Sequence, residues 1–404
     1  MTDAQPIEPL NVKTGDIIRD LYVVNKKVGE GACGTVFLVS HVKDSNIKGA
    51  MKCEPFMKSK DDEILKLELF VLKQMQKSKH ACALMCSGKT SNYSFIIMSL
   101  LGMELGDLRR MLPEKKMSLN TTLRVGIQCC QAIQDMHSIG FIHRDIKPAN
   151  FAVGATNKDT IFIFDFGLAR QIIFFEKNAK EKLRQPRKKV TFRGTVRYCS
   201  VNVHQYKEQG RHDDLCGLLF MLIEFLTTTL PWKGLTKRES GHLKEIVPEK
   251  RLLHGCPKSF YELYSLFKKY TYFDKPDYEL IKANFTRDLK EIKGNLTDPW
   301  DWDKLPKKDL KSKTSKAKDE LADVEDKEEQ DKVGDIEESA ESKESQSEDV
   351  QAAFCDKEDT LDNVQEIKTL DLKAPDKPIS NNNNNNNNRK SKVERKNSGG
   401  TKRV

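Results

Sequence analysis

The residues best suited to chemistry in this sequence lie in one short loop, FIHRDIKPANF, at positions 141–151. Asp145, Lys147 and Asn150 fall between its two apolar ends, and Asp165 follows a later apolar run in FIFDFGLAR. A carboxylate at Asp145 can orient a hydroxyl group and accept its proton. Asn150 and Asp165 offer the hard oxygen ligands that suit Mg²⁺. The pattern therefore predicts a site that handles a proton, a cation and a negatively charged group.

A second group of candidate residues lies upstream, closer to the N-terminus. The segment GEGACGTV places Gly29, Gly31 and Gly34 in a turn between two β-branched, apolar runs that predict strands. Lys52 follows in the next predicted strand, and Glu68 lies on the helix predicted after it. Such glycines let backbone N–H groups approach phosphate oxygens without side-chain obstruction. Alone the turn is weak evidence, because dinucleotide-binding folds and plain hairpins also use this spacing.

In this order along the chain, the two groups match the residues that phosphoryl transfer from a nucleotide needs. Lys52 can reach the α- and β-phosphates, and an ion pair with Glu68 would hold it there. Asp145 would orient the acceptor hydroxyl, and Lys147 would lie near the transferring γ-phosphate. The metal ligands predicted above would complete the site.

The motifs GEGACG, HRDIKPAN and DFG resemble those of eukaryotic protein kinases over about residues 20–300. No Ala-Pro-Glu triplet is present, and FRGTVRYCSVNVH (192–204) resembles the casein kinase I superfamily instead. The segments LKLELFVLKQMQ, FRGTVRY and DFGLARQ resemble most its tau-tubulin kinase branch. The sequence departs from that pattern at Ala149, Cys199 and Cys216, where the family commonly has an acid or Ser, Ala and Trp, respectively. None of these departures removes a catalytic group.

This resemblance implies an α+β, bilobal protein kinase fold with a small β-rich N-lobe and a larger helical C-lobe. It also implies a serine/threonine protein kinase that uses ATP and Mg²⁺, with a kinase-shaped scaffold lacking catalysis as the alternative. The implied catalytic residues are Asp145, Lys147, Lys52 and Glu68, and the implied metal ligands are Asn150 and Asp165. The residues expected to bind ATP are Val28, Gly29, Glu30, Gly31, Ala32, Cys33, Gly34, Thr35, Val36, Ala50, Lys52 and Met98.

The same resemblance assigns finer roles to a few residues. Met98 would be the gatekeeper, and residues 99–102 would form the hinge that hydrogen-bonds adenine. Lys147 is the residue that the serine/threonine class has at its loop position. Asp214 would anchor the catalytic loop from a buried helix, or would be an N-cap acid of that helix. Cys33 is either a small tolerated side chain or a reactive thiol above the nucleotide.

Composition along the chain divides it into a leader, a domain and a tail. Residues 1–20 are predicted to be the leader, and 21–303 the kinase domain, with its N-lobe at about 21–101 and its C-lobe at about 102–303. Within the C-lobe, DDLCGLLFMLIEFLTTTLPW is apolar nearly all round, which predicts a buried helix. Residues 304–404 are rich in Lys, Glu, Asp and Ser and contain a poly-Asn tract, so a disordered tail is expected.

Charge and cysteine usage narrow the class of protein. The 404 residues carry a net charge of +9, and the tail holds 21 Lys and Arg against 24 Asp and Glu, which leaves the first 303 residues near +12. A basic domain attracts phosphate, acidic peptides, nucleic acid or anionic membranes, but the sequence has no motif for specific nucleic-acid binding. The ten cysteines lack zinc-site spacing, and no apolar run reaches ~18 residues. We expect a cytoplasmic monomer, with the nucleus as an alternative location.

The segment after DFGLAR predicts how activity and substrate choice are set. Its hydroxyl side chains are Thr191 and Thr195, and Thr195 is interpreted as a structural part of a Gly-Thr element, so activity without phosphorylation of this segment is expected. Its many Lys and Arg residues form either a solvated face or a site for acidic or phosphorylated protein substrates, cytoskeletal proteins among them. Arg193 and Arg197 are the candidate phosphate-binding residues. The acidic, serine-rich stretch 335–350 is either a plain tail or a competing pseudosubstrate.

Overall fold

A computed structural model describes residues 8–31, 34–57, 64–175 and 181–306 of the chain. These residues form the bilobal α+β fold that the sequence predicts, with a β-rich N-lobe and a helical C-lobe. Three predicted features lie outside the described residues: the tail from residue 307 onward, with its acidic stretch, and the ATP-binding residues Ala32 and Cys33.

The N-lobe is built on a six-stranded antiparallel sheet. Its strands are β1 (Ile17–Ile18), β2 (Tyr22–Gly31), β3 (Gly34–His41), β4 (Lys48–Pro55), β5 (Leu84–Lys89) and β6 (Tyr93–Ser99). They lie in the order β1-β2-β3-β4-β6-β5. Helix α1 (Leu65–Gln74) connects β4 to β5, packs on β5 and β6, and continues as a 3₁₀ turn at Met75–Lys77.

Alternating burial gives this sheet two different faces. In β3, Phe37 and Val39 are buried in the N-lobe core, whereas Val36 is half-buried. Successive side chains of a strand point to opposite faces, so Val36 lies on the face away from that core. Val36 pairs with Lys52 of β4, and Lys52 contacts Asp165 of the C-lobe. This second face therefore borders the cleft between the lobes.

The C-lobe combines short strands with long helices. Its strands are β7 (Leu101–Glu104), β8 (Phe141–Ile142), β9 (Phe151–Gly154), β10 (Ile161–Ile163), β11 (Arg170–Gln171), β12 (Ile173–Phe175) and β13 (Glu181–Leu183). Its helices are α2 (Leu105–Met111), α3 (Leu119–Ser138), α4 (Val201–His204), α5 (Arg211–Thr227), α6 (Lys237–Ile246), α7 (Glu249–Leu252), α8 (Lys258–Phe267) and α9 (Tyr278–Glu291). The strands pair as β10-β9-β7, β11-β8 and β12-β13.

Helix α5 is the centre of the C-lobe, as its apolar sequence predicts. Almost all its side chains are buried, and it packs against α3 and α8. The buried residues include Asp213 and Asp214 in its first turn. Because α5 is enclosed on all sides, the groups at its N-terminus have fixed positions beside the catalytic loop.

Both ends of the described chain pack on the domain. Ile17 and Ile18 pair with β2, so a strand begins within the segment predicted as a leader. At the other end, Trp302 is buried and Leu305 packs against the C-lobe core, just past the predicted domain boundary. The sequence did not predict these limits because only a few apolar side chains at each end make the contacts. They are too few to change the local composition. Across the described ranges, the helices lack the combination of length and apolar character that a membrane crossing requires.

Candidate active site

The catalytic loop, residues 143–150, connects β8 to β9 at the centre of the site. Strands β9 and β10 pair antiparallel, so the end of this loop lies beside the residues that follow β10. The Phe164 N–H donates to the Asn150 carbonyl oxygen at 3.1 Å, and Asp165 comes next in the chain. This hairpin therefore brings both predicted metal ligands to the same edge of the cleft.

Lys52 connects the two lobes through its ammonium group. Its Nζ lies 2.5 Å from Glu68 Oε2 of α1 and 3.1 Å from Asp165 Oδ1 of the C-lobe. Lys52 and Glu68 are both buried, at 9% and 4% exposure. Charges this deeply buried are tolerated only when they are closely paired. Residues from β4, α1 and the end of β10 therefore meet at one point.

The carboxylates of this group differ in their surroundings. Burial alone would raise the pKa of Asp165, but the charge and hydrogen bond of Lys52, with His143 and Lys147 nearby, hold that pKa below its ordinary value. Burial raises the pKa of Glu68, and Lys52 opposes that shift. Asp165 therefore carries its negative charge at neutral pH, as a cation ligand must.

Asp145 is held by hydrogen bonds from both sides of the site. Lys147 Nζ lies 2.8 Å from its Oδ2, and Asn150 Nδ2 donates to its carbonyl at 2.8 Å and to Oδ2 at 3.2 Å. Thr195 donates to its Oδ1 from its backbone N at 3.0 Å and from its Oγ1 at 2.7 Å. Because the amide nitrogen of Asn150 faces Asp145, its amide oxygen is left for a cation. That oxygen and the ionised Asp165 fit Mg²⁺, which completes its shell with phosphate oxygens and water.

Asp214 of α5 supports the catalytic loop from inside the C-lobe. Its carboxylate accepts the backbone N–H groups of His143 at 2.7 Å and Arg144 at 2.9 Å, and lies 2.8 Å from His137 Nε2. Burial alone would raise the pKa of Asp214, but its contacts with His137 and His143 lower it. The neighbouring Asp213 accepts the N-cap N–H of α5. Asp214 therefore anchors the loop, and Asp213 takes the capping role.

Two glycines permit close backbone approaches that the site needs. Gly194 has φ +113°, and a Cβ there would lie 2.5 Å from the Arg144 carbonyl oxygen, so glycine lets the chain approach the catalytic loop just before Thr195. Gly34 has φ +110°, and a Cβ there would lie 2.3 Å from the Cys53 carbonyl oxygen. Substitution at either position would push a binding segment away from its neighbour.

The predicted nucleotide-binding residues that the structure describes lie on four neighbouring strands. Ala50 of β4 is opposite Leu38 in β3 and Met98 in β6, beside the pair of Val36 and Lys52. The remaining predicted residues lie at the ends of β2 and β3 that meet in the glycine turn: Val28, Gly29, Glu30, Gly31, Gly34 and Thr35. Together they border the cleft above Lys52.

The two arginines predicted to bind a substrate phosphate lie in different surroundings. Arg197 Nη1 lies 3.7 Å from Glu224 Oε1, and the Arg197 carbonyl accepts a hydrogen bond from Trp232 Nε1 at 2.7 Å. The Arg193 carbonyl accepts from Gln209 Nε2 at 3.0 Å. Within the described ranges, Arg193 Nε is buried without a hydrogen-bond acceptor. A phosphate at Arg197 would have to share that guanidinium with Glu224.

Glu54 is a site residue that the motifs did not identify. It lies two positions after Lys52 on β4, and its carboxylate accepts the backbone N–H groups of Ile64 at 2.8 Å and Leu65 at 3.0 Å. These groups form the N-terminus of α1, the helix that carries Glu68. Strand β4 therefore holds helix α1 at two points: Glu54 binds the N-terminus of the helix, and Lys52 pairs with Glu68. The period of two along a strand could have indicated that Lys52 and Glu54 share a face.

Lys244 of α6 is a second residue that sequence patterns missed. It is 3% exposed, and its Nζ donates to the carbonyl oxygens of Val196 at 2.6 Å and Cys199 at 2.7 Å, in the loop that follows Thr195. His204 Nε2 lies 3.2 Å from the same nitrogen. Burial lowers the pKa of Lys244 to about 8. This lysine is therefore held by neutral groups and fixes the loop that follows Thr195.

Comparison with known proteins agrees with this geometry. The family model described as "Protein kinase domain" matches residues 22–290. A Dictyostelium discoideum protein described as a "Probable serine/threonine-protein kinase" is 33% identical over 300 residues, which cover 74% of this chain and 59% of that protein. The chain therefore spans well under two thirds of that relative's length.

Two relatives from Caenorhabditis elegans align over more of their own length. One, described as a serine/threonine-protein kinase, is 32% identical over 288 residues, which cover 69% of this chain and 74% of the relative. The other, described as a "Putative casein kinase I", is 34% identical over 310 residues, which cover 74% of this chain and 87% of the relative.

Proposed function

The chain belongs to the protein kinase family, and we propose that it is an active serine/threonine protein kinase that transfers the γ-phosphate of ATP to protein hydroxyl groups. The observation that carries this proposal is the convergence on Lys52, whose Nζ joins Glu68 of the N-lobe to Asp165 of the C-lobe. The alternative, a kinase-shaped scaffold without catalysis, is tested by the phosphotransfer assay below. The names of the relatives support the serine/threonine class.

Each charged group has a task in this reaction. Asp145 would orient the acceptor hydroxyl and take its proton, and Lys147 beside it would neutralise charge on the transferring phosphoryl group. Lys52, held by Glu68, would position the α- and β-phosphates. Mg²⁺ bound by Asn150 and Asp165 would neutralise charge on the phosphate oxygens.

We further propose that the kinase belongs to the casein kinase I superfamily, nearest its tau-tubulin kinase branch. The motif at residues 192–204 supports this placement, as does the relative described as a casein kinase I. The proposed substrates are acidic or already phosphorylated proteins, with cytoskeletal proteins as candidates. Among the cations after β12, Lys182, Lys188 and Lys189 are exposed to solvent. These lysines, with Arg193 and Arg197, are the proposed contacts for substrate anions.

Activity without phosphorylation of the segment after DFGLAR is also part of the proposal. The hydrogen bonds from Thr195 to Asp145 are present in the unphosphorylated chain, and they support this view. The proposed cytoplasmic location, with the nucleus as an alternative, and the proposed monomeric state rest on composition alone.

A phosphotransfer assay tests the proposed function. The full chain is incubated with γ-³²P-labelled ATP and casein, with Mg²⁺ or with a chelator, and the product is hydrolysed for phosphoamino-acid analysis. The proposal expects label on phosphoserine and phosphothreonine that depends on Mg²⁺. Absence of label from casein and from a panel of acidic, basic and phosphorylated peptides would contradict it.

A further inference from the structure

The buried carboxylate of Glu208 pairs with two arginines of the segment after DFGLAR. One arginine lies at the beginning of this segment, and the other lies where the chain returns toward Thr195. Glu208 lies between α4 and α5. Arg187 donates two hydrogen bonds to its carboxylate, from Nε to Oε2 at 2.7 Å and from Nη2 to Oε1 at 3.1 Å. Arg170 Nε lies 3.4 Å from the same Oε1. The side chains of Glu208, Arg170 and Arg187 are 3%, 4% and 15% exposed. The cluster is therefore largely shielded from water, where an ion pair is screened little.

The partners of Glu208 lie at two functionally distinct places. Arg170 is in β11, where its backbone pairs with Ile142, the last residue of β8 before the catalytic loop. Arg187 is on the return path of the chain toward Thr195, whose hydrogen bonds hold Asp145. Glu208 therefore links the start of the segment, beside the catalytic loop, to the part of the segment that leads back to Thr195.

Neighbours of Glu208 strengthen the same connection through backbone contacts. Gln209 Nε2 donates to the Arg193 carbonyl at 3.0 Å. The Val190 N–H donates to the Tyr206 carbonyl at 3.1 Å. The short stretch 206–209 therefore supports residues 187–193 along their length, with Glu208 as its charged contact.

The segment contains few hydroxyl side chains that another kinase could phosphorylate. From Gln171 to Thr195 the sequence contains no Ser or Tyr, and its hydroxyl side chains are Thr191 and Thr195. The Thr195 hydroxyl donates to Asp145. The Thr191 Oγ1 atom is buried. Kinase activation loops are commonly ordered when a phosphate gained by phosphorylation pairs with arginines. Here two arginines already have an anionic partner that needs no modification.

We propose that Glu208 is a positioning residue that takes the place of an activation-segment phosphate. Its carboxylate holds Arg170 and Arg187, keeps the segment in its productive path, and makes phosphorylation of the segment unnecessary. This inference rests on the proposed function, because it concerns how that kinase activity is maintained.

The electrostatics of the cluster support this role. Burial alone would raise the pKa of Glu208, but hydrogen bonds from Arg187 and the charges of both arginines hold that pKa below its ordinary value. The carboxylate is therefore ionised throughout the physiological pH range. Loss of its charge would leave two buried guanidinium groups facing each other without their shared anion.

The test compares three full-length proteins: wild type, Glu208→Gln, and Glu262→Gln. Glu262 also pairs with an arginine, Arg287 at 2.9 Å, but lies on α8. Each protein is treated with phosphatase, checked by intact mass and assayed with casein and Mg-ATP. The inference expects unchanged wild-type activity after treatment, a kcat of Glu208→Gln lower by about 10- to 100-fold with the KM for ATP within about twofold, and wild-type kinetics for Glu262→Gln.

The other possible results distinguish a failure of this inference from a failure of the proposed function. No phosphotransfer by untreated wild type would contradict the function itself. Wild-type kcat in folded Glu208→Gln would overturn the role of Glu208 alone. Loss of wild-type activity on dephosphorylation would overturn that role together with the proposed activity without phosphorylation, and would leave the proposed phosphotransfer itself standing. Should Glu208→Gln unfold below the assay temperature, the double variant Arg187→Gln, Glu208→Gln removes one buried cation as well. That variant is expected to fold with a low kcat, and a wild-type kcat would equally overturn the inference.

Discussion

Thr195 donates two hydrogen bonds to one oxygen of Asp145, from its backbone N at 3.0 Å and its Oγ1 at 2.7 Å. The residue at the end of the segment after DFGLAR therefore orients the carboxylate that we propose as the proton acceptor. From sequence, Thr195 is interpreted as a structural residue, and the structure shows which side chain it contacts: the carboxylate of Asp145. The order of this segment and the geometry of catalysis are thus coupled by one side chain.

Replacing Thr195 by Val should lower kcat, because the carboxylate of Asp145 loses the hydroxyl donor that fixes its orientation while the backbone donor remains. We expect a loss of about 10- to 100-fold, typical of small misplacement of a reacting group. Steady-state kinetics with casein would measure it. Thr195→Ser retains the hydroxyl and should keep most of the activity. A wild-type kcat in folded Thr195→Val would show that the hydroxyl hydrogen bond to Asp145 does not set the rate.

Replacing Glu54 by Gln should weaken ATP binding and turnover together. The change removes the negative charge that accepts the first N–H groups of α1, so the helix that carries Glu68 loses part of its attachment to β4. Helix caps contribute about 1 kcal/mol, so we expect a severalfold rise in the KM for ATP. Asp277→Asn changes a similar acid, the N-cap of α9, and should leave this KM unchanged. Identical ATP kinetics for the two variants would disprove the role of Glu54.

Replacing Lys188 and Lys189 together by Ala should lower kcat/KM for acidic peptides, because both side chains are exposed on the segment that leads to Thr195. The loss should be largest at low ionic strength, since salt screens exposed charges. The control replaces Lys290 in the last turn of α9 and Lys293 just after that helix, both of which are exposed. A salt-independent effect, or equal effects of both double variants, would argue against an anion-binding role for this segment.

Lys244 should make stability depend on pH in a way that Lys244→Met abolishes. Burial lowers the folded-state pKa of Lys244 to about 8, below the unfolded value of about 10.4. Below pH 8 both states bind the proton, and the folded state bears the full cost of a buried charge. Between these values only the unfolded state binds it, so stability rises with pH.

The wild type should therefore gain free energy of unfolding relative to Lys244→Met as pH increases from 8 to 10. The total gain is on the order of 3 kcal/mol if the whole window is covered. Denaturant titrations at several pH values would measure this difference. A constant difference between the two proteins would mean that Lys244 titrates normally.

The site residues that the sequence predicts are those that belong to short motifs. Lys52, Asp145, Asn150 and Asp165 belong to motifs with fixed spacing, and the structure brings them to one cleft. Their approach in space follows from the order of strands in the N-lobe sheet and from the hairpin of β9 and β10, which the motifs alone do not specify. The fold class is confirmed, because alternating strands, followed by long apolar helices, leave few other architectures.

Residues that act through distant contacts were not accessible in this way. Lys244 lies in a polar helix and would be taken for a surface residue, yet it is buried against carbonyl groups more than forty positions earlier in the chain. Arg197 is a candidate phosphate ligand by its motif, and nothing in the sequence indicates that Glu224 of α5 would lie 3.7 Å from it. Such pairings are decided by how helices pack, which a single sequence does not specify.

We propose that Asp145 serves catalysis and not nucleotide binding. Asp145→Asn keeps the shape of the side chain but removes the negative charge that accepts a proton, so the rate of phosphoryl transfer should fall by about 10²- to 10⁴-fold. Calorimetry should show that Mg-ATP affinity is retained, because Lys52, Asn150 and Asp165 are intact. Phosphotransfer by Asp145→Asn at the wild-type rate, with the protein folded and saturated with Mg-ATP, would contradict the account.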